Sequence, residues 1–434
     1  MKPEQGDSVR ISYGDEAIEG ILIKDDQEVI LKLSSGYNIV LDKRKVSQIE
    51  LIAKKASREK KQPAPVSQDR KLKKISILHT GGTIASKVDY TTGAVVALFK
   101  PEELLDLFPE LDKMANISSR LVSNIFSENM RFTHYNIIAK AIAEEVKKGA
   151  EGIIITHGTD TLHYTSAALA FICENLSVPV IVVGSQRSSD RGSSDAGMNL
   201  CCAISFAAQT GFAGVGICMH ENATDENCII LSGVNARKMH SSRRDAFRQI
   251  NTNPLARVNS KTKKIEYLRN YPAAKPKGEF ILRLFDEKLK IGLLKAYPNM
   301  FASAFHCFKD FDALVIEGTG LGHVPIIEDE HSPEPKRIAE ALKELAKKMP
   351  VIMCTQTIYG RVNMNVYSTG RIQQDFGVIG NGLSMTSETA FIKIAWLLSH
   401  HDKEEAKELL SQNLRGEIVE RTEEEAFEKQ GSGR

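Results

Sequence analysis

The feature that most constrains the fold of this chain is a series of short, mostly apolar runs that starts near residue 75. Helical patterns separate these runs, which cover residues 75–78, 153–155, 178–183, 215–219, 313–316 and 351–354. Strands that are apolar on both faces are typical of a parallel sheet covered by helices on both sides. We therefore predict an α/β fold with a two-lobe, parallel-sheet core from residue 74 onwards.

One of the helical patterns illustrates the prediction. Residues 133–148 place apolar side chains at the spacing of one helix face. We expect the Thr133 hydroxyl to cap the first turn and Gly149 to end the helix.

Residues 1–52 have a different pattern, with four short β runs separated by turn signals. This spacing predicts a small all-β, SH3-like barrel domain. Residues 53–73 follow as a linker that contains Pro63 and Pro65. Residues 51–74 hold nine basic and two acidic residues, a local charge of +7. This segment is either a solvated tether or a contact for nucleic acid or a partner protein.

The remaining chain divides into two α/β parts. We predict an N-terminal α/β domain over residues 74–270, which carries the catalytic residues, and a connection over residues 271–288. A C-terminal α/β domain with an acidic helical tail then covers residues 289–434.

Composition excludes several classes of protein. The net charge of the whole chain is +2, which argues against a protein that coats nucleic acid. Its seven cysteines are scattered without a CxxC pair, so we expect neither a structural zinc site nor a disulfide framework, and we place the chain in the cytoplasm. No apolar run is long enough to predict a membrane span.

Small polar residues follow the first two apolar runs. Thr83 comes after two glycines, and is either a nucleophile beside an oxyanion hole or an incidental residue of a tight turn. Thr159 and Asp160 follow the second run, and either take part in chemistry or cap the next helix. Parallel strands end at the same edge of a sheet, so the two motifs together favour a nucleophile with a group that accepts its proton.

Other residues have weaker claims to a role. His157 suggests a metal site or a Ser/His triad, but no second ligand lies at metal spacing and no Gly-x-Ser-x-Gly elbow is present. Lys238, taken by itself, is most simply a surface charge. Cys354 lies at a strand end without the glycines of a nucleophile elbow, and the glycine-rich residues 318–322 are either a ligand loop or a tight turn.

The two threonine motifs, residues 80–85 and 157–161, resemble the signature motifs of the bacterial-type L-asparaginases. The resemblance extends over residues 74–425 and includes Lys238 and the segments 89–93, 127–130, 184–186, 244–247 and 385–388. It implies an asparaginase-like fold. It also implies that Thr83 is the catalytic nucleophile and that Thr159, Asp160 and Lys238 form a second catalytic group that relays protons. The substrate-binding residues that it implies are Tyr90, Ser127 and Glu128.

Two of these residues carry open points. Glu128 departs from many asparaginases, which have a neutral residue there, although a carboxylate can still bind the α-amine of a substrate. Lys238 can act as a base only when its amine is neutral. The alternative is that it stays charged and polarises Thr159. The resemblance itself leaves both alternatives for Lys238 open.

With the β domain and the basic linker added, the chain is similar to the D subunits of archaeal glutamyl-tRNA(Gln) amidotransferases. This similarity implies a glutaminase that passes ammonia from L-glutamine to an E subunit, which converts Glu-tRNA(Gln) to Gln-tRNA(Gln). It implies no cofactor in this chain, ATP and Mg²⁺ in the partner, a homodimer within a heterotetramer, and no membrane contact. The alternatives are a stand-alone L-asparaginase and a binding module with a vestigial site.

Overall fold

The computed structural model describes residues 3–34, 38–54, 69–82, 86–88, 95–97, 108–187, 193–271 and 278–427. Within these ranges, no helix is both long and apolar enough to cross a bilayer.

The N-terminal residues form one antiparallel sheet of five strands: β1 (Ser8–Tyr13), β2 (Glu16–Asp25), β3 (Glu28–Lys32), β4 (Asn38–Asp42) and β5 (Val46–Ala53). Their order is β4-β3-β2-β1-β5, with a 3₁₀ turn over Lys43–Lys45 before β5. The alternating pattern buries one set of side chains as a small core: Val9, Ile11, Leu22, Val29, Leu31 and Leu41. The all-β prediction is confirmed, but the sequence pattern missed β5, because that strand has no fully buried residue.

The strands from residue 74 onwards form one mixed sheet, one parallel sheet and several short pairs. They are β6 (Lys74–His79), β7 (Ser86–Val88), β8 (Val95–Ala97), β9 (Asn116–Leu121), β10 (Gly152–Thr156), β11 (Cys173–Glu174), β12 (Pro179–Val183), β13 (Gly214–His220), β14 (Asn227–Ser232), β15 (Ala236–Lys238), β16 (Phe247–Gln249), β17 (Ala256–Asn259), β18 (Ile265–Tyr267), β19 (Ile281–Leu282), β20 (Ile291–Lys295), β21 (Ala313–Gly318) and β22 (Val351–Thr355).

The first of these sheets has eight strands in the order β18-β17-β14-β13-β12-β10-β6-β9. Strands β13, β12, β10, β6 and β9 are parallel, whereas β14, β17 and β18 extend the sheet in antiparallel fashion. The second sheet consists of the parallel strands β20-β21-β22. The prediction of a two-lobe α/β core with parallel sheets is therefore confirmed.

Helices cover these sheets, and their hydrophobic residues join the two lobes. They are α1 (Phe132–Lys147), α2 (Leu162–Ile172), α3 (Ala196–Gln209), α4 (Ser303–His306), α5 (Glu334–Lys348), α6 (Ser368–Asp375), α7 (Ser387–Leu398) and α8 (Lys403–Leu410), with 3₁₀ turns at Pro109–Lys113, Ser127–Asn129 and Glu424–Ala426. One hydrophobic cluster contains residues of both α2 and α7, including Phe171 and Trp396, whose ring centroids lie 5.6 Å apart. The C-terminal lobe thus packs directly on the lobe that carries the threonine motifs.

The start of α1 differs from the prediction in one detail. The Thr133 hydroxyl does not cap the helix but donates to the Glu287 carboxylate at 2.7 Å. At the helix start, the Arg131 N–H instead donates to His134 Nδ1 at 3.0 Å. Gly149 ends the helix as expected, with a φ of +88° that suits a residue without a side chain.

Candidate active site

The two threonine motifs meet where β6 and β10 end. The Thr80 backbone N–H and hydroxyl both donate to the Thr156 carbonyl, at 3.1 and 2.8 Å. Gly82 has a φ of +79°, and a Cβ atom there would lie 2.9–3.1 Å from backbone atoms of His157 and Gly158. Glycine is therefore required at this position both by conformation and by close approach.

The predicted nucleophile Thr83 and the predicted loop residue Tyr90 lie outside the described residues. Gly82, to which Thr83 is bonded, is the last described residue of the first motif.

Lys238 is brought to the second motif by a short hairpin of β15 and β16. Its Nζ donates to Thr159 Oγ1 at 2.9 Å and to Asp160 Oδ1 at 2.8 Å. The Lys238 side chain is 10% exposed, whereas that of Asp160 is 66% exposed. Lys238 is thus no solvated surface charge but part of a connected Thr–Lys–Asp group that can hold and move a proton.

The turn after β12 forms the next wall of the site. A Cβ atom at Gly184 would lie 2.8 Å from the Thr159 methyl carbon, so this turn packs directly against Thr159. The turn is held by Asp195, which is fully buried and accepts from the N–H groups of Gln186 and Arg187 at 3.1 and 2.9 Å. Sequence reasoning missed Asp195, because nothing in one sequence marks a carboxylate that caps a turn eight residues upstream.

Ser127 and Glu128 lie in the 3₁₀ turn Ser127–Asn129. Ser127 is buried, and its carbonyl accepts from the Thr161 hydroxyl at 2.6 Å. A Cβ atom at Gly158 would lie 2.9 Å from Ser127 Cβ and Oγ, so Ser127 touches the second motif. The Glu128 side chain is exposed. The structure therefore groups Ser127 with Thr159, Asp160 and Lys238 and leaves Glu128 facing solvent.

Contacts from the C-terminal lobe fix the position of β15, the strand that carries Lys238. Arg237, its neighbour on β15, lies 3.2 Å from the Glu388 carboxylate at the start of α7. Burial opposes the charge on Glu388, but the His163 hydrogen bond and Arg237 prevail and lower its pKa to about 2. The adjacent Thr389 hydroxyl donates to the Val234 carbonyl at 2.8 Å. These contacts fix β15 from outside its own lobe.

His157 has a structural role in this geometry. Burial lowers its pKa to about 4, so the ring is neutral near pH 7. Its Nδ1–H donates to the Gly158 carbonyl at 2.6 Å, and its Nε2 accepts from the Thr165 hydroxyl at 2.8 Å. With both nitrogens satisfied inside the fold, His157 is available neither to a metal ion nor to a triad.

Cys354 and residues 318–322 are likewise structural. Cys354 is buried, which raises the pKa of its thiol, so it is a poor nucleophile. Residues 318–322 form a tight turn in which Gly320 and Gly322 have positive φ angles. In the part of the chain that the structure describes, no group of three or more His, Cys, Asp or Glu side chains could hold a metal ion.

The buried histidines predict a loss of stability in mild acid. Burial also lowers the pKa of His79 to about 4, and both rings are therefore neutral in the folded state. In the unfolded chain each titrates near pH 6.5, so between pH 6.5 and 4 only the unfolded state gains the protons. We expect the free energy of unfolding to fall by about 2 kcal/mol per histidine between pH 7 and 5.

Urea unfolding at pH 7, 6 and 5, followed by tryptophan fluorescence, measures this loss. In His157→Asn, the fall in the free energy of unfolding between pH 7 and 5 should be smaller by about the contribution of one histidine. Asparagine keeps a donor near the Gly158 carbonyl but has no ring that titrates. The matched control is His331→Gln, since the His331 side chain is 81% exposed. A free energy of unfolding that is constant from pH 7 to 5 in the wild-type protein would contradict the prediction.

Comparisons with known proteins show what this chain is similar to. Family models match residues 74–272 as "Asparaginase, N-terminal", residues 290–410 as "Glutaminase/Asparaginase C-terminal domain" and residues 3–52 as "GatD N-terminal domain". Among solved structures, the thermostable L-asparaginase of Thermococcus kodakarensis aligns with a TM-score of 0.69 and 32% identity, over 80% of this chain and 99% of that one. L-asparaginase I of Vibrio cholerae aligns with a TM-score of 0.68 and 30% identity, over the same shares.

Relatives that match nearly the whole length of the chain include D subunits of glutamyl-tRNA(Gln) amidotransferases. The one from Methanococcus maripaludis (strain C6) is 43% identical over 425 residues, which cover 96% of this chain and 98% of the relative. The one from Pyrococcus furiosus is 43% identical over 439 residues, which cover 98% of this chain and 97% of the relative. The chain belongs to the family of glutamyl-tRNA(Gln) amidotransferase D subunits, whose main body has the asparaginase fold.

Proposed function

We propose that this chain is the glutaminase subunit of a glutamyl-tRNA(Gln) amidotransferase. It hydrolyses L-glutamine and supplies the ammonia with which a partner subunit converts Glu-tRNA(Gln) to Gln-tRNA(Gln). The observation that carries the proposal is the N-terminal β domain. The asparaginase structures align over 99% of their own length but only 80% of this chain, whereas the D subunits match 96–98% of it. A stand-alone L-asparaginase would not need the additional domain.

In the proposed reaction the Thr83 hydroxyl attacks the side-chain carboxamide carbon of glutamine. The hydroxyl proton passes to the group formed by Thr159, Asp160 and Lys238, because an unactivated threonine is a poor nucleophile at neutral pH. A proton from this group then reaches the leaving nitrogen, so the C–N bond breaks and ammonia departs. Water cleaves the resulting ester at Thr83, which releases glutamate and restores the hydroxyl.

The geometry of Lys238 supports this assignment. Its two hydrogen bonds connect Asp160 to Thr159, and Gly82, the residue before Thr83, lies close to Gly158, the residue before Thr159. The oxyanion of the tetrahedral intermediate requires donors that are already oriented. We assign these donors to backbone N–H groups near residues 82–83 and 159–160.

Substrate recognition is proposed for residues around this centre. Ser127, buried against Gly158, holds the α-carboxylate end of glutamine together with Glu128, whose carboxylate suits the α-ammonium group. Tyr90 closes over the bound substrate.

The partners follow from the same proposal. The ammonia is used by an E subunit that carries ATP and Mg²⁺, and this chain itself needs no cofactor. The assembly is a heterotetramer, with a homodimer of this chain between two E subunits and Glu-tRNA(Gln) bound by the complex. All seven cysteines are free thiols, which suits the reducing cytoplasm.

The proposal is tested by ammonia release from glutamine and from asparagine. We expect the purified chain to be nearly silent alone and to become an active glutaminase when the E subunit, ATP and Glu-tRNA(Gln) are added. Thr83→Ala should abolish that activity. Rapid asparagine hydrolysis by the isolated chain, unaffected by tRNA, would instead establish a stand-alone asparaginase, and a Thr83→Ala variant with near wild-type turnover would remove Thr83 from the mechanism.

The close contact at Gly158 gives a further prediction. In Gly158→Ala the added methyl would lie 2.9 Å from Ser127, so either Ser127 or the second motif must move. Displacements of about 1 Å in an active site can cost about 10²-fold in rate, so we expect kcat/KM for glutamine to fall about 100-fold in the assembled enzyme. Gly211→Ala is the matched control, because a Cβ atom there has no neighbour within 4 Å. Equal kcat/KM values for the two variants would show that the contact does not matter.

A further inference from the structure

A cavity of about 600 Å³ lies at the opposite end of the eight-stranded sheet from the candidate active site. Its walls include the start of β13 and the end of β14, together with the segments 269–271 and 414–416. The residues of the threonine motifs follow the C-terminal ends of the parallel strands, whereas this cavity opens where β13 begins. The cavity is therefore separate from the glutaminase site.

Two arginines, Arg269 and Arg415, line the cavity without a carboxylate partner. Among the described residues, neither guanidinium has a carboxylate within ion-pair distance. Arg269 donates once, to the Thr252 hydroxyl at 3.0 Å, and its Nε–H is buried without any acceptor. Arg415 donates to the carbonyls of Ala170 and Leu414, each at 3.0 Å. Neither guanidinium is thus paired directly with a carboxylate at the cavity wall, although carboxylates farther away partly offset both charges.

The acidic residue in the lining, Glu174, attracts Arg415 through space but forms its ion pair elsewhere. Glu174 is held by Arg283, whose Nε lies 2.5 Å from its carboxylate. Burial lowers the pKa of both Arg269 and Arg415, which reflects the cost of keeping a cation away from water. Both arginines are half-buried, and an anion that enters the cavity gains charge-assisted hydrogen bonds, including one from the Arg269 Nε–H, which has no acceptor among the described residues.

The rest of the lining is largely apolar. It includes Leu176, Phe212, Val215 and Leu255. A cavity of this size with apolar walls and a few convergent polar groups is typical of a small-molecule site. From the two unpaired guanidiniums and these walls, we propose that the cavity binds a small organic anion, with a carboxylate or phosphate group at the arginines and an apolar body against the walls.

Binding can be measured on the full chain without any assay of activity, so the proposal does not depend on the proposed function. Isothermal titration calorimetry with benzoate and with phenyl phosphate distinguishes a carboxylate from a phosphate ligand. Benzamide tests the requirement for charge, because it is a neutral compound of the same shape as benzoate, and inorganic phosphate tests the requirement for an apolar body. We expect at least one of the two aromatic anions to bind at least tenfold more tightly than benzamide and inorganic phosphate.

Two variants locate the site. Arg269→Met should weaken binding of the preferred anion at least tenfold and leave benzamide unchanged. Ala213→Phe, which narrows the cavity without changing its charge, should weaken the binding of both the preferred anion and benzamide. The matched control is Arg337→Met, because Arg337 is 65% exposed on α5 and lies outside the cavity. Equal affinity for benzoate, phenyl phosphate and benzamide, or wild-type anion affinity in Ala213→Phe, would overturn the proposal.

Discussion

Replacing Lys238 by methionine is expected to lower kcat for glutamine hydrolysis by about 10³-fold, within the range that a positioned proton-transfer group contributes. The Lys238 Nζ joins Thr159 to Asp160 by hydrogen bonds of 2.9 and 2.8 Å, and its side chain is only 10% exposed. Methionine keeps most of the side-chain length and apolar stem but neither donates nor carries a charge. We expect KM to change much less than kcat, because Lys238 contacts the proton-relay residues.

The assembled enzyme, with tRNA and ATP present, is the form in which this effect should be measured. Lys264→Met is the control, since Lys264 is exposed before β18. Thr159→Val gives a second test. If Lys238 acts through Thr159, the two substitutions are strongly non-additive in kcat, and the double variant is about as slow as Lys238→Met. A Lys238→Met enzyme with more than a tenth of wild-type kcat would exclude Lys238 from proton transfer.

The fold of this chain can largely be predicted from its sequence, because the patterns that indicate strands and helices are local. A strand buried on both faces must be apolar throughout, and Ile153–Ile155 and the neighbouring runs show this directly. Strand β5 was missed for the converse reason, since its exposed residues give no clear alternation. The Thr133 cap was wrong because Thr133 has a tertiary partner, Glu287, that lies 154 residues further on.

The site is harder to predict from the sequence, because the residues that contact each other there are far apart in the chain. Thr159 and Lys238 are 79 residues apart, and Lys238 by itself resembles any surface lysine. Thr389 donates a hydrogen bond to the Val234 carbonyl, although the two residues are 155 positions apart, and no rule of sequence spacing predicts such a contact. Only the family resemblance gave Lys238 a candidate role, whereas the role of Asp195 in shaping the turn at Gln186 emerged from the structure alone.

The largest expected change in stability comes from a residue outside the site. Lys393 on α7 and Glu417 are both fully buried and form an ion pair of 2.6 Å. The Lys393 ammonium also donates to the carbonyls of Leu410 and Gln412, at 2.8 and 2.5 Å, so its three protons are all used. Removing one member of such a pair leaves an uncompensated charge in the interior. We expect Lys393→Met to lower the free energy of unfolding by about 3–5 kcal/mol.

The chain offers its own probe for this loss. Trp396 is the single tryptophan, lies on α7 one turn from Lys393, and is 5% exposed, so its emission in a urea titration reports on this part of the core. Lys407→Met is the matched control, because the pair of Lys407 with Glu404 is at the surface and should contribute about 1 kcal/mol or less. Glu417→Gln should cost about as much as Lys393→Met, since it strands the buried cation. If Lys393→Met and Lys407→Met unfold at the same urea concentration, the buried pair does not anchor the C-terminal segment to α7.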